Sequence, residues 1–146
     1  MTALTLDQAN RMVAGAFEKG SSLGLAPLSV AILDAGGHLV AFARQDGASI
    51  LRPQIAMAKA GGALALGISS RAIGEMAAAR PAFVGALTAI APHGVMPAAG
   101  GVIILGGDAV AGAIGVTGDT SDNDELCALA GIAAAGLSAQ ASPGGA

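Results

Sequence analysis

The stretch 30–48 constrains this chain most. Residues 30–33, Val-Ala-Ile-Leu, are a short apolar run. Asp34-Ala35-Gly36-Gly37 behind them is turn chemistry: an aspartate opens the turn and a glycine takes the position that needs positive φ. Residues 39–43 return as a second strand, so the pattern predicts a β-hairpin. A period of two puts His38, Val40, Phe42 and Arg44 on one face and Leu39, Ala41 and Ala43 on the other. A polar loop over 45–51 follows, and Pro53 suits the first turn of a helix. A second hairpin is expected from 102–105 and 110–116 around Gly106-Gly107-Asp108.

Helical signals fill the rest. Thr5-Leu6-Asp7-Gln8 reads as a capping box, and Ala9, Met12, Val13, Ala16 and Phe17 give a helical stripe as far as about Gly20. The helix over 53–66 carries one charge, Lys59, and is apolar nearly all round, the signature of a buried helix. Ser69 or Ser70 caps a short helix ended by Arg80-Pro81. Residues 87–91 read as an edge strand and Pro92-His93-Gly94 as a loop. Asp122, with Glu125 completing a box, starts a last helix running to about Leu137. The expected fold class is α/β in the α+β sense: a mainly antiparallel sheet of about five strands flanked by helices.

At 146 residues the chain is one domain, taken as 1–140, with a disordered tail at 141–146. Such a chain buries on the order of 70% of its unfolded surface. Hydrophobic residues make up 53% and charged residues 12%, too apolar for a solitary small domain. The spare face of the 53–66 helix is therefore assigned to another subunit of a homo-oligomer. Seven scattered basic residues at net charge −3, with no Trp or Tyr, argue against nucleic acid. A single cysteine, Cys127, excludes an intrachain disulfide framework and fits a cytoplasmic location. The N-terminus lacks the basic region and apolar core of a signal peptide. Residues 81–107 carry no formal charge, yet Pro81, Pro92, Pro97 and the glycines between them break the run too often for a membrane-spanning helix.

Four stretches in order carry a family resemblance. They are the hairpin at 30–48, Ala56-Met57-Ala58-Lys59-Ala60, Gly100-Gly101-Val102-Ile103-Ile104, and the strand at 110–118 followed by Asp122-Asn123-Asp124-Glu125-Leu126-Cys127-Ala128. Together they resemble the GlcG/HbpS-like family, the haem-degrading or DUF336 domain that also forms the C-terminal domain of PduO-type proteins. The resemblance covers about residues 4–138. It implies the same α+β fold with profilin-like layering, homo-oligomers that are often octamers, and haem as a cofactor.

Each candidate residue has a plain alternative beside the functional one. His38 is a haem ligand or acid–base residue, or an ordinary strand-end histidine. His93 is a metal or haem ligand, or surface loop. Arg44 clamps a carboxylate or propionate, or pairs with Asp46. About 20 Å of strand separates His38 from Arg44, so they do not grip one ion. Lys59 binds an anion or acts as a depressed-pKa lysine, or it snorkels. Gly100 and Gly101 let a ligand carboxylate approach backbone N–H groups. Asp119, Asp122, Asp124 and Glu125 form a hard-metal site or, preferred, serve as helix capping, with Glu125 retained as an acid–base residue. Cys127 reads as a buried, inert thiol.

Two functions compete, beside a third reading as a purely structural oligomer with no ligand. One is a cytoplasmic homo-oligomer binding haem or a related tetrapyrrole such as a corrinoid, with His38 or His93 at the metal and Arg44 or Lys59 on the propionates. The other is a catabolic enzyme of isomerase, hydratase or lyase type acting on a small carboxylate. There Arg44 and the Gly-Gly turn bind the acid, and His38, Lys59 or Glu125 moves a proton. A Lys59 and Arg44 sharing one compact pocket would favour the enzyme.

Overall fold

The computed structural model describes residues 3–141. Helix α1 (Leu6–Ser22) precedes a hairpin of β1 (Ser29–Asp34) and β2 (Leu39–Arg44). Then come α2 (Arg52–Leu66), α3 (Ser70–Ala79), α4 (Pro81–Leu87), a second hairpin β3 (Gly101–Gly106) and β4 (Ala109–Thr117), α5 (Ser121–Ala134) and a short β5 (Ser138–Ala139). All pairings are antiparallel, in the order β2-β1-β4-β3-β5. The two hairpins therefore join through β1 and β4, the most buried strands.

The two faces are covered differently. Helices α1 and α5 lie on one face, over Val30, Ile32, Val102, Ile104, Ile114 and Val116. With few aromatics to fill space, the helices instead approach closely. A Cβ on Gly15 would stand 2.6 Å from Ala134 Cβ, and one on Gly131 2.6 Å from Met12 O. Helix α2 lies on the other face, over Leu33 and Ala113. There a Cβ on Gly115 would run into Ala56 O, and one on Gly101 into Lys59 O. Glycines in the sheet thus let the helix backbone sit almost directly on the strands. Beyond α2, Ile73 of α3 and Val84 of α4 pack into one cluster with Val95.

Local chemistry explains most element ends. Thr5 and Gln8 form the expected reciprocal capping box, each bond 3.0 Å. Gly37 at φ 83° lets the first hairpin turn, and Gly67 at φ 73° ends α2 in the left-handed conformation.

Four expectations need correcting. Residues 87–91 are not an edge strand: they close α4 and turn, through bonds such as Ala91 N to Leu87 O, and the fifth strand is β5. Helix α5 is capped by Thr120, whose hydroxyl accepts from Asn123 N at 3.3 Å, not by Asp122 with Glu125. The spare face of α2 is met by this same chain, since His93 packs on Gly61 and Val95 on Gly62. Strand β2 also carries a bulge. Ile32 pairs with Ala41 but Leu33 with Leu39, so Val40 is the extra residue and the period of two breaks there. The expected tail lies, apart from Ala141, outside the described residues.

Candidate functional site

Lys59 stands in the middle of α2, pressed on the sheet, with Asp124 in the first turn of α5 as its partner. Its Nζ donates to Val116 O at 2.9 Å and to Asp124 Oδ2 at 3.1 Å. The two side chains are 3% and 1% exposed, so the pair is sealed. Asp124 Oδ1 also accepts from Asp119 N at 2.9 Å. Burial lowers the Lys59 pKa more than Asp124 raises it, and the Arg52 charge nearby lowers it further. Gly100 and Gly101 sit against this lysine. A Cβ on Gly100 would lie 2.8 Å from Lys59 Nζ. Gly101 N is already committed to Ser70 Oγ at 2.6 Å. The Gly-Gly pair thus has a packing role in this structure.

Glu125 faces elsewhere. Arg71 on α3 donates through Nε to both its oxygens, at 3.0 and 3.1 Å, and through Nη2 to Asp122. Those bonds, Asp122 first, hold the guanidinium pKa above its ordinary value. Asp119 is fixed by Asn123 Nδ2 and by Ala26 N. Among the described residues no three His, Cys, Asp or Glu side chains gather as a metal site. Cys127 is buried, and desolvation pushes its thiol up to about 11.

His93 borders the apolar groove between β2 and α2. The close approach at Gly61 lets its ring lie on α2, and its Nε2 meets Gly37 O at 2.8 Å, bridging to the first hairpin turn. It lines this groove of about 420 Å³ together with Leu39, Phe42, Pro53, Gln54, Met57 and Pro92. The bulge at Val40 is what brings Leu39 and Phe42 to the same side. His38, one residue before Leu39, is exposed, and its backbone N–H is held by Asp34 Oδ1 at 2.9 Å. A larger groove of about 550 Å³ lies by the end of α1, lined by Ser21, Pro27, Arg44, Gln45 and Asp46 among others. It is polar and holds no imidazole, so the groove at His93 is the better site for an apolar ligand.

Arg44 ends β2. Its Nη1 reaches Ala48 O at 3.4 Å, and it forms no ion pair with Asp46. The structure brings Lys59, Glu125, His38 and Arg44 into no common cavity. It adds residues that the sequence reading passed over. Asp124 holds Lys59, and Arg71 holds Glu125. Arg52 donates to Thr117 Oγ1 at 2.8 Å. One signal was available: Arg52 and Lys59 are the only charges between Gly47 and Ser70. Starting the helix at Pro53, one residue late, left Arg52 between the loop and the helix.

Comparison with known proteins identifies the family and the fold. The model of a family described as haem degrading protein HbpS-like matches residues 4–133. No curated protein matches the chain significantly. Among solved structures, a complex of PduOC with haem superposes with a TM-score of 0.84 at 22% identity, over 96% of this chain and 100% of that one. A double mutant of HbpS from Streptomyces reticuli gives 0.78 at 30% identity, over 91% and 87%. The Klebsiella pneumoniae protein ORFY, a DUF336 protein, gives 0.82 at 24%, over 93% of both chains. No helix among the described residues is long and apolar enough to cross a membrane.

Proposed function

The chain belongs to the HbpS-like family, and from that premise we propose that it binds haem, or a related tetrapyrrole such as a corrinoid, in the groove between β2 and α2. The observation that carries the reading is the groove's make-up: Leu39, Phe42, Pro53, Met57 and Pro92 form apolar walls around one imidazole, His93. A flat apolar macrocycle with a central metal asks for that combination. The description of the family as haem degrading supports the ligand class, as does the haem complex of the PduOC structure.

Individual residues support the reading. Met57 and Phe42 supply soft and aromatic contact surface. His93 Nε2 is engaged with Gly37 O, so ligation through Nε2 means releasing one hydrogen bond. That release costs about 1 kcal/mol, too little to bar a metal–imidazole bond. His38, exposed at the neighbouring turn, is the second imidazole available to a metal. Bound haem supplies the iron chemistry; the chain's own residues hold and shield it.

The competing reading, acid–base catalysis on a small carboxylate, draws on Lys59, Glu125 and the lowered lysine pKa. The observation against it is enclosure, since Lys59 spends its amine on Val116 O and Asp124. We further propose a cytoplasmic homo-oligomer. Ile50 and Ile90 are 86% and 79% exposed. They stand in sequence just before Pro53 and Pro92 of the groove, where a second subunit would cover them.

The test is a haem titration followed by absorbance on wild type, His93→Ala and His38→Ala. A saturable Soret shift in wild type, altered in position or weakened at least tenfold in His93→Ala, supports the reading. No saturable shift in wild type overturns it.

A further inference from the structure

One row of residues across the sheet is explained neither by packing nor by the groove walls. Ser29 pairs in register with Arg44 on β2 and with Thr117 on β4. Directly opposed residues share a sheet face, with Cβ atoms about 5 Å apart. Ser29, Arg44 and Thr117 therefore share a face. It is the face α2 covers, because Arg52 of α2 bonds Thr117 Oγ1 and because Leu33, on the same side of β1 as Ser29, packs on α2.

Two features of this row have no internal explanation. Neither Arg44 nor Arg52 pairs with a carboxylate among the described residues, whereas Arg11, Lys59 and Arg71 do; of the other two cations, Lys19 is also without an ion pair and Arg80 stacks on Phe83. Each guanidinium has five donors, and each makes one hydrogen bond within the chain, to Ala48 O and to Thr117 Oγ1. Between them lies Ser29, fully buried, whose Oγ has no hydrogen-bond partner, the one such side-chain atom among the described residues. A buried hydroxyl without a partner costs free energy, so an acceptor or donor is expected to reach it in some working state.

We propose that Arg44, Arg52, Ser29 and Thr117 form a carboxylate-binding subsite. A carboxylate between the two guanidiniums lies over Ser29 and takes charge-assisted bonds from both forks, with the Ser29 hydroxyl as a third donor. The position gives it meaning. Phe42 is two residues before Arg44 on the same strand, and Pro53 follows Arg52; both line the groove that holds His93. Arg44 itself lines the polar groove by the end of α1, so the subsite adjoins the apolar groove along β2 and α2 rather than forming part of its wall. The two together suit a ligand with an apolar body and a carboxylate at one end. The subsite rests on the tetrapyrrole reading only for what carries the carboxylate: the propionates of a macrocycle or a free small acid.

The test compares wild type with Arg44→Gln/Arg52→Gln, and with the single Arg44→Gln at an exposed position, after circular dichroism shows each folded. The probes are haem, its dimethyl ester and succinate. Haem binding weakened at least about tenfold in the double variant, and severalfold in Arg44→Gln, supports the subsite when ester binding is unchanged. That result assigns it to propionates. If wild type takes no haem, but succinate raises its melting temperature and not the variant's, the subsite stands for free acids and the tetrapyrrole reading falls. Equal binding of haem by wild type and variants, without a succinate effect on wild type, overturns the subsite while the groove survives. So does equal weakening of haem and ester. Failure of wild type to respond to haem or succinate overturns both.

Discussion

Replacing Asp124 with asparagine strands the charge of Lys59. In the native chain that ammonium has two acceptors, Val116 O and Asp124 Oδ2, in surroundings almost closed to water. Breaking a buried pair by neutralising one partner costs about 3–5 kcal/mol, because the other charge stays buried. Asparagine keeps an acceptor for Asp119 N, so the lower end, about 3 kcal/mol, is expected. Set against the roughly 5–15 kcal/mol of a typical domain, that is a fifth or more of the whole. With a urea m-value near 2 kcal/mol per molar, the midpoint falls by about 1.5 M. The pH dependence follows from the lowered lysine pKa. Between that value and the unfolded one of about 10.4, the unfolded chain binds a proton that native Lys59 has released. Stability therefore rises with pH across the interval, and below it the burial cost is felt in full. Asp124 is the main group raising the native pKa, so its loss extends the interval downward and the rise starts at lower pH. Urea denaturation at pH 7 to 8 on both proteins measures this, below the range in which the unfolded Cys127 thiol ionises and pulls the other way. A loss under about 1 kcal/mol at pH 7, or stability in the variant falling as pH climbs toward 8, refutes the reasoning.

Three further outcomes follow from the same structure. Gly115→Ala drives a Cβ into Ala56 O and must lift α2 from the sheet; a loss of about 1–3 kcal/mol in chemical denaturation is expected. Ser29→Ala removes a buried hydroxyl that has no partner, so the free protein gains up to about 1 kcal/mol in the same assay, and a loss would show a partner was missed. Cys127, buried with its thiol pushed up to about 11, stays unmodified by iodoacetamide at pH 8 until the chain is unfolded.

The hairpins, the α1 cap and the buried character of α2 were legible because each rests on local chemistry: Asp-Ala-Gly-Gly at a turn, Thr and Gln three apart, small residues on every side of a helix. The bulge at Val40 was not, since nothing in Leu-Val-Ala-Phe marks which residue is extra; it decides that Leu39 and Phe42 share the groove. Residues 87–91 carry strand-forming Thr and Ile, yet they turn behind α4, where the amides of Ala89, Ile90 and Ala91 bond back to Ala86 and Leu87. The site divided in the same way. Lys59 stood out as a lone charge, but its partner could be Asp124 or Glu125 on spacing alone, and one residue of helix phase decides which carboxylate turns inward. Ser29 was invisible as a site residue. Its meaning comes only from register, which sets it between Arg44 and Thr117.

The location of the ligand is the central claim, and backbone amide NMR during a haem titration tests it most directly. Haem iron is paramagnetic and broadens nearby resonances. The account predicts broadening confined to 37–44, 52–57 and 92–95, where β2, the start of α2 and the His93 loop meet. Broadening centred on α1 and α5, with those segments untouched, would contradict it.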